Sequence, residues 1–188
     1  MININDLVFN EPEFDTLINK YISKMFIKYR NDYRKIQIQT PYLYIYRIDN
    51  LEDKYIIYVE LNKEGSLYNL ITNIDNYIID SFLLLQDRFD YKFRNNIRNY
   101  YKSIICEIDG KLVIKIILDI TDGEIKQPIY YKNKIVTINN LQNNNVMVTM
   151  KLKYIVYEKE CFYSKWDVIS LHEQKYTDSD IEKYLMLN

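Results

Sequence analysis

The chain has 188 residues and a mass of 23.0 kDa, with 25 Lys+Arg against 26 Asp+Glu and a formal net charge of −1. That length suits one well-filled domain, or one domain with an added arm, and the balanced charge argues against a nucleic-acid binder that works by overall basicity. A composition 48% hydrophobic and 27% charged is that of a soluble globular protein, with no apolar run long enough to cross a bilayer and no signal peptide expected.

Phe14, Leu17, Ile18, Tyr21, Ile22, Met25, Phe26 and Tyr29 recur at three- and four-residue spacing, which predicts an amphipathic helix over 12–30. Pro12 suits its first turn, and Lys20, Lys24 and Lys28 fall on its opposite, solvated stripe. Strand signals follow at 34–48 and 54–62, separated by the hairpin loop Asp49-Asn50-Leu51-Glu52-Asp53. In Pro41-Tyr42-Leu43-Tyr44-Ile45-Tyr46-Arg47, alternation puts Leu43 and Ile45 on one face and three tyrosine rings on the other. In the second strand Tyr55, Ile57, Val59 and Leu61 share a face, with Ile56, Tyr58 and Glu60 behind. After Gly65, Ser66 caps a predicted helix whose buried stripe is Leu67, Leu70, Ile71, Ile74 and Ile78, ending near residue 84.

Residues 86–103 are basic and aromatic without a clear period, and read as an ordered surface loop or irregular strand. Strand signals resume at 104–108, 111–119, 134–138, 146–158 and 165–172, punctuated by Gly110, Asp122-Gly123 and the Asn-rich 139–145. Ser179-Asp180-Ile181-Glu182 matches a capping box and predicts a short C-terminal helix. No Gly/Ser linker or internal repeat divides the chain.

Charge is unevenly distributed. Residues 20–35 carry Lys20, Lys24, Lys28, Arg30, Arg34 and Lys35 against Asp32 alone, and 88–102 carry Arg88, Lys92, Arg94, Arg98 and Lys102 against Asp90 alone. Such runs attract phosphate locally at physiological salt, although an ordinary solvated face has the same composition. The end of the chain, with Asp178, Asp180 and Glu182, is acidic.

Enzyme motifs are scarce, and no enzymatic activity is expected. There is no phosphate-cradling glycine loop, nucleophile elbow or helical histidine pair. His172 has no neighbouring Cys or Ser motif to activate, and Asp119, Asp122 and Glu124 describe either a cation site or an acidic turn. Cys106 and Cys161 follow no metal spacing and read either as small core residues in a reducing compartment or as a single disulfide. No metal or cofactor is expected.

Binding features are richer. Twenty residues are tyrosine, although a chain rich in Ile, Asn and Lys and lacking Ala fits a genome poor in G and C, which accounts for part of the excess. A strand with one aliphatic face and one face of rings plus an arginine is what a single-strand platform needs. Strand 146–158 is expected to place Thr149, Lys151, Lys153, Ile155 and Tyr157 on one face, either along a nucleic-acid groove or toward solvent. Trp166 is either a core anchor or a stacking platform.

The order of elements resembles the single-stranded DNA-binding proteins of nucleocytoplasmic large DNA viruses, whose folds resemble OB-type phage proteins. The resemblance is carried by residues 70–80 (LITNIDNYIID), 103–108 (SIICEI), 111–116 (KLVIKI), 135–141 (IVTINNL), and 153–157 (KYIVY) ahead of 164–168 (SKWDV). It covers roughly residues 36–172. It implies an α+β, β-rich fold, an OB-type antiparallel barrel over 36–172 with one helix between strands, and it leaves outside it the long N-terminal helix expected in an arm over 1–35. The acidic tail over 173–188, with its short helix, resembles the partner-recruiting tails of phage proteins of this kind.

The implied function is sequence-independent binding of single-stranded DNA during viral replication or repair. It would act in the cytoplasm of the infected cell, within the viral factory or packaged in the virion, and without a membrane. Phosphates would meet Arg88, Lys92, Arg94, Arg98, Lys151 and Lys153, while bases would stack on some of Tyr42, Tyr44, Tyr46, Tyr58 and Tyr157. Further partners would be replication proteins at the acidic tail and a second copy of the chain. The rival reading is a virion or adaptor protein that binds other proteins through tyrosine-rich surfaces.

Overall fold

The computed structural model describes residues 7–10, 13–17, 20–29, 32–85, 97–121, 124–131, 134–135, 137–138, 141, 144–158 and 161–174. The N-terminal region is built of strands: β1 (Leu7–Phe9), β2 (Glu13–Asp15), β3 (Lys20–Ser23), β4 (Met25–Tyr29), β5 (Asp32–Lys35) and β6 (Gln37–Gln39). Among the described residues the helix expected over 12–30 is therefore not there. Leu17, on its expected buried stripe, is 94% exposed. The aromatic and β-branched residues Tyr21, Ile22, Phe26, Ile27 and Tyr29 favour a pleated surface, and partners for their backbone lie elsewhere in the chain. β1, β4 and β5 form a small sheet in that order, and β2 pairs with β3.

β7 (Leu43–Leu51) and β8 (Lys54–Glu60) form an antiparallel hairpin with a bulge between Ile45 and Arg47. The chain then turns through Asn62, whose Oδ1 accepts from the Glu64 N–H at 2.9 Å, and enters α1 (Ser66–Leu85). Leu67, Ile71, Ile74, Ile78 and Phe82, spaced by three or four, are buried along one side of this helix. A short 3-10 turn, Ile97–Tyr100, leads into β9 (Tyr101–Lys102), β10 (Ile105–Ile108) and β11 (Lys111–Thr121). Asp109 and Gly110, at φ 51° and 75°, close the β10–β11 hairpin, and the pair of positive φ values matches the twist of the flanking strands.

The remaining strands are β12 (Glu124–Ile125), β13 (Ile129–Tyr131), β14 (Lys134–Ile135), β15 (Asn145–Tyr157) and β16 (Phe162–Gln174). The main path of the large sheet runs β10-β11-β8-β7-β15-β16-β13-β14, with β3 and β6 also paired along β15. An OB-type closed barrel was expected, and the sheet is instead open: its end strands β10 and β14 do not pair among the described residues. β9 and β13 both run parallel to β16, which also departs from an all-antiparallel barrel. The expected C-terminal helix at 179–182 lies outside the described residues. Among those residues no helix is long and apolar enough to cross a membrane.

One apolar cluster joins helix and sheet. It includes Leu7, Met25, Ile36 and Ile38 from the N-terminal strands, Ile45, Ile57 and Val59 from β7–β8, the α1 stripe, and Leu152, Ile155, Tyr157 and Trp166. The Phe82 ring of α1 stacks on Phe162 at 4.5 Å and on Tyr157 at 5.2 Å. The helix thus covers the inner side of the sheet, and on the opposite, outer side Ile56, Tyr58 and Val113 form a second, smaller buried cluster with Tyr46 packed against it.

Candidate nucleic-acid interface

The outer side is organised around the run from β6 to β7 as it passes along β15. Gln37, Ile38 and Gln39 pair with Lys151, Met150 and Thr149, and Leu43 and Tyr44 pair with Val146 and Asn145. Between these points the ladder is irregular. Pro41 has no N–H to give, and the Thr40 hydroxyl accepts from the Val148 N–H at 2.9 Å. The three-residue step from Thr40 to Leu43 spans the two-residue step from Val148 to Val146, so the strand bulges. The bulge leaves the Tyr42 ring 43% exposed, and Tyr44 beside it is equally so. On the next strand Met147, Thr149 and Lys151 face the same side, as the contact from Gln39 Nε2 to Met147 Sδ at 2.8 Å confirms.

Beyond Tyr44 the face carries rings already capped by cations. The Arg47 guanidinium lies 4.8 Å from the Tyr58 ring centroid and is held by Asp49, with Nε–Oδ1 and Nη2–Oδ2 both at 3.0 Å. The Lys111 ammonium lies 4.7 Å from the Tyr46 centroid and pairs with Glu60. The Tyr46 hydroxyl donates to Asp109 Oδ2 at 2.8 Å, which raises its pKa and keeps the phenol protonated. The hydrogen bond to Glu60 raises the Lys111 pKa, and burial raises that of Tyr58. Lys115, opposite Tyr58 in register, is exposed. These groups form a firm bed with fixed cations, and the two open rings sit at its margin.

The predicted residues divide among several places. Tyr42, Tyr44, Tyr46 and Tyr58 lie on the outer side with Lys151 one strand away, but Tyr58 is 7% exposed and supports Arg47 rather than offering a ring. Lys153 is exposed, paired with Asp167 at 3.3 Å and 5.6 Å from the Tyr154 centroid. Tyr157 is in the core, contrary to expectation. The register shifts between Leu152 and Tyr154, so Lys153 is the extra residue of a bulge and the alternation inverts after it. Ile155 and Tyr157 consequently turn inward against α1. Arg98 is on the helix side, donating to Asn76 Oδ1 at 2.8 Å and 3.7 Å from Asp80. Arg88, Lys92 and Arg94 lie outside the described residues. Arg47, Lys111 and Lys115 were not among the expected phosphate ligands, although the alternation of Lys111, Val113 and Lys115 in a strand signals their shared face.

Other candidates have structural places. Trp166 is buried and its Nε1 donates to Ser164 Oγ at 2.9 Å, which fits the core-anchor reading. Cys161 is buried and Cys106 half-buried, its thiol pKa raised by burial. His172 stacks on Tyr130 at 5.0 Å. Asp119 and Glu124 are exposed beside the β11–β12 turn; Asp122 lies outside the described residues. Asp75 on α1 is buried and accepts from the Tyr101 and Ser103 hydroxyls, each at 2.5 Å. Its carboxyl is raised to about 6 by burial, against the pull of those two hydrogen bonds.

No family model matches the chain, and neither does any curated protein. Among solved structures the chain is similar to the single-stranded DNA-binding protein from bacteriophage Enc34 in complex with ssDNA. The two share 12% identity and a TM-score of 0.49, over 78% of this chain and 90% of that one. A C-terminal truncation of the same phage protein matches at 12% identity and a TM-score of 0.42, over 93% of this chain and 98% of that one.

Proposed function

We propose that the chain binds single-stranded DNA without regard to sequence, along the outer side of the sheet where β6–β7 passes β15. One observation carries the reading. Tyr42 and Tyr44 hold solvent-open rings on a rigid, helix-backed sheet, with Lys151 on the neighbouring strand and Arg47, Lys111 and Lys115 alongside. Every base has a π-face, so ring stacking tolerates any sequence, while lysine and arginine meet the phosphates between bases. A duplex hides those faces, so the surface favours single strands. The setting that fits is replication or repair of a viral genome in the cytoplasm of the infected cell.

Photocrosslinking with a halogenated-uracil oligonucleotide tests the placement. Adducts mapping to the 41–47 peptide support it. Efficient crosslinking confined to other peptides would move the site.

A further inference from the structure

The basic run 20–35 is not used by the face just described, and the structure gives it a specific form. β4 and β5 are a hairpin in which Phe26 pairs with Lys35 and Lys28 with Tyr33. Alternation puts Phe26 and Lys28 on one side of β4, and Tyr33 and Lys35 on the same side of β5, while exposed Lys24 immediately precedes β4. The Phe26 and Tyr33 rings meet edge to face at 6.4 Å, which fixes that shared side. Lys24, Lys28 and Lys35 are exposed around this aromatic pair, and Tyr33 is 58% exposed. The opposite side, through Leu7 and Met25, belongs to the core.

The hairpin is also continuous with the proposed interface. Ile36 and Ile38 are buried, so Lys35, Gln37 and Gln39 all face outward, and the row begun at Tyr33 runs on to Tyr42 and Tyr44. It leaves β15 near the Lys153 bulge: Leu152 N–H still donates to Ile36 O at 2.9 Å, and from Ile155 onward β3 takes over the pairing. From Tyr33 to Tyr46 the row spans about 40 Å at roughly 3.3 Å per residue.

We infer that a single strand bound at Tyr42 and Tyr44 continues onto the β4–β5 hairpin, where Lys24, Lys28 and Lys35 meet its phosphates and Phe26 and Tyr33 its bases. The inference rests on the proposed function and extends it. Charge complementarity and continuity with the tyrosine face select a polyanionic strand as the occupant. The hairpin acts as a second half of the site that only a long strand reaches.

The test titrates the full chain with labelled oligo-dT of about 6 and about 20 nucleotides, within the range of single-strand site sizes. A Lys24→Gln/Lys28→Gln/Lys35→Gln variant should keep wild-type affinity for the short strand and lose affinity for the long one. Its long-strand salt slope should fall by about 2, at roughly 0.7 per phosphate released. The corresponding triple arginine variant should restore long-strand binding. If the glutamine variant fails to fold, Lys28→Gln alone should lower the long-strand slope by about 0.7. Wild-type long-strand affinity and slope in the glutamine variants, or equal weakening on both lengths, overturns the hairpin's role and leaves the tyrosine face standing. A wild-type chain that binds neither length overturns both.

Discussion

Tyr44 of β7 lies directly opposite Asn145 of β15, with both side chains on the side of the sheet away from α1. This pairing joins two halves of the fold: on one side the β7–β8–β11 surface with its capped rings, on the other the β15 row leading to Lys151.

Tyr44→Ala should cost about 1–3 kcal/mol of single-strand affinity, the usual range for one base–aromatic stack. The ring is half open, so the denaturant midpoint should hardly move. A large stability loss with unchanged affinity would show that Tyr44 is a packing residue.

Tyr157→Ala should give the opposite pattern. Its ring is buried and stacks on Phe82 at 5.2 Å, with Phe162 at 6.2 Å, so truncation should cost about 3–5 kcal/mol of folding stability. Single-strand affinity, measured where the variant is still folded, should match wild type.

Arg98→Ala should leave single-strand binding unaltered, because the guanidinium is engaged by Asn76 and Asp80 on the helix side. An exposed pair of this kind contributes at most about 1 kcal/mol. A marked drop in affinity would extend the interface around the molecule.

Asp75 should give the fold a pH dependence of unusual sign for a carboxylate. Its folded pKa of about 6 stands above the ordinary 3.8, so the folded state binds the proton more tightly than the unfolded state. Its stabilising contribution is then complete below the unfolded value and is lost as pH rises through about 6. Wild type should gain stability on acidification from pH 7.5 to about 5.5, and Asp75→Asn should lack that gain while matching or exceeding wild type at pH 7.5. Glu158, lowered chiefly by its hydrogen bond from Lys20, acts in the opposite direction and only below about 4.5. A variant with the wild-type pH profile would contradict the assignment.

Strand alternation was legible wherever the ladder is regular. Leu43 and Ile45 against Tyr44 follow period two because β7 keeps one face in the core, and in β8 the same period sends Ile57 and Val59 into the main core and Ile56 and Tyr58 into the smaller cluster on the other face. The Leu67–Ile78 stripe occupies the helix for the analogous reason, and Phe82 extends it. Tyr157 was misplaced because a bulge at Lys153 inverts the alternation, and a bulge depends on a partner strand that no local window contains. The 12–30 segment was misread because its apolar spacing also fits a helix. Pairing of β3 with β15, more than a hundred residues away, decided the matter. Arg47 and Lys111 could be seen as basic residues but not as caps over Tyr58 and Tyr46, since that requires three strands brought side by side.

The most direct measurement is a fluorescence-anisotropy titration of the full chain with labelled oligo-dT and with a duplex of the same length, at two salt concentrations. The account predicts tighter binding to the single strand, with log affinity falling against log salt by about 0.7 for each phosphate engaged. Equal affinity for the duplex, or no binding to the single strand at low salt, would contradict it.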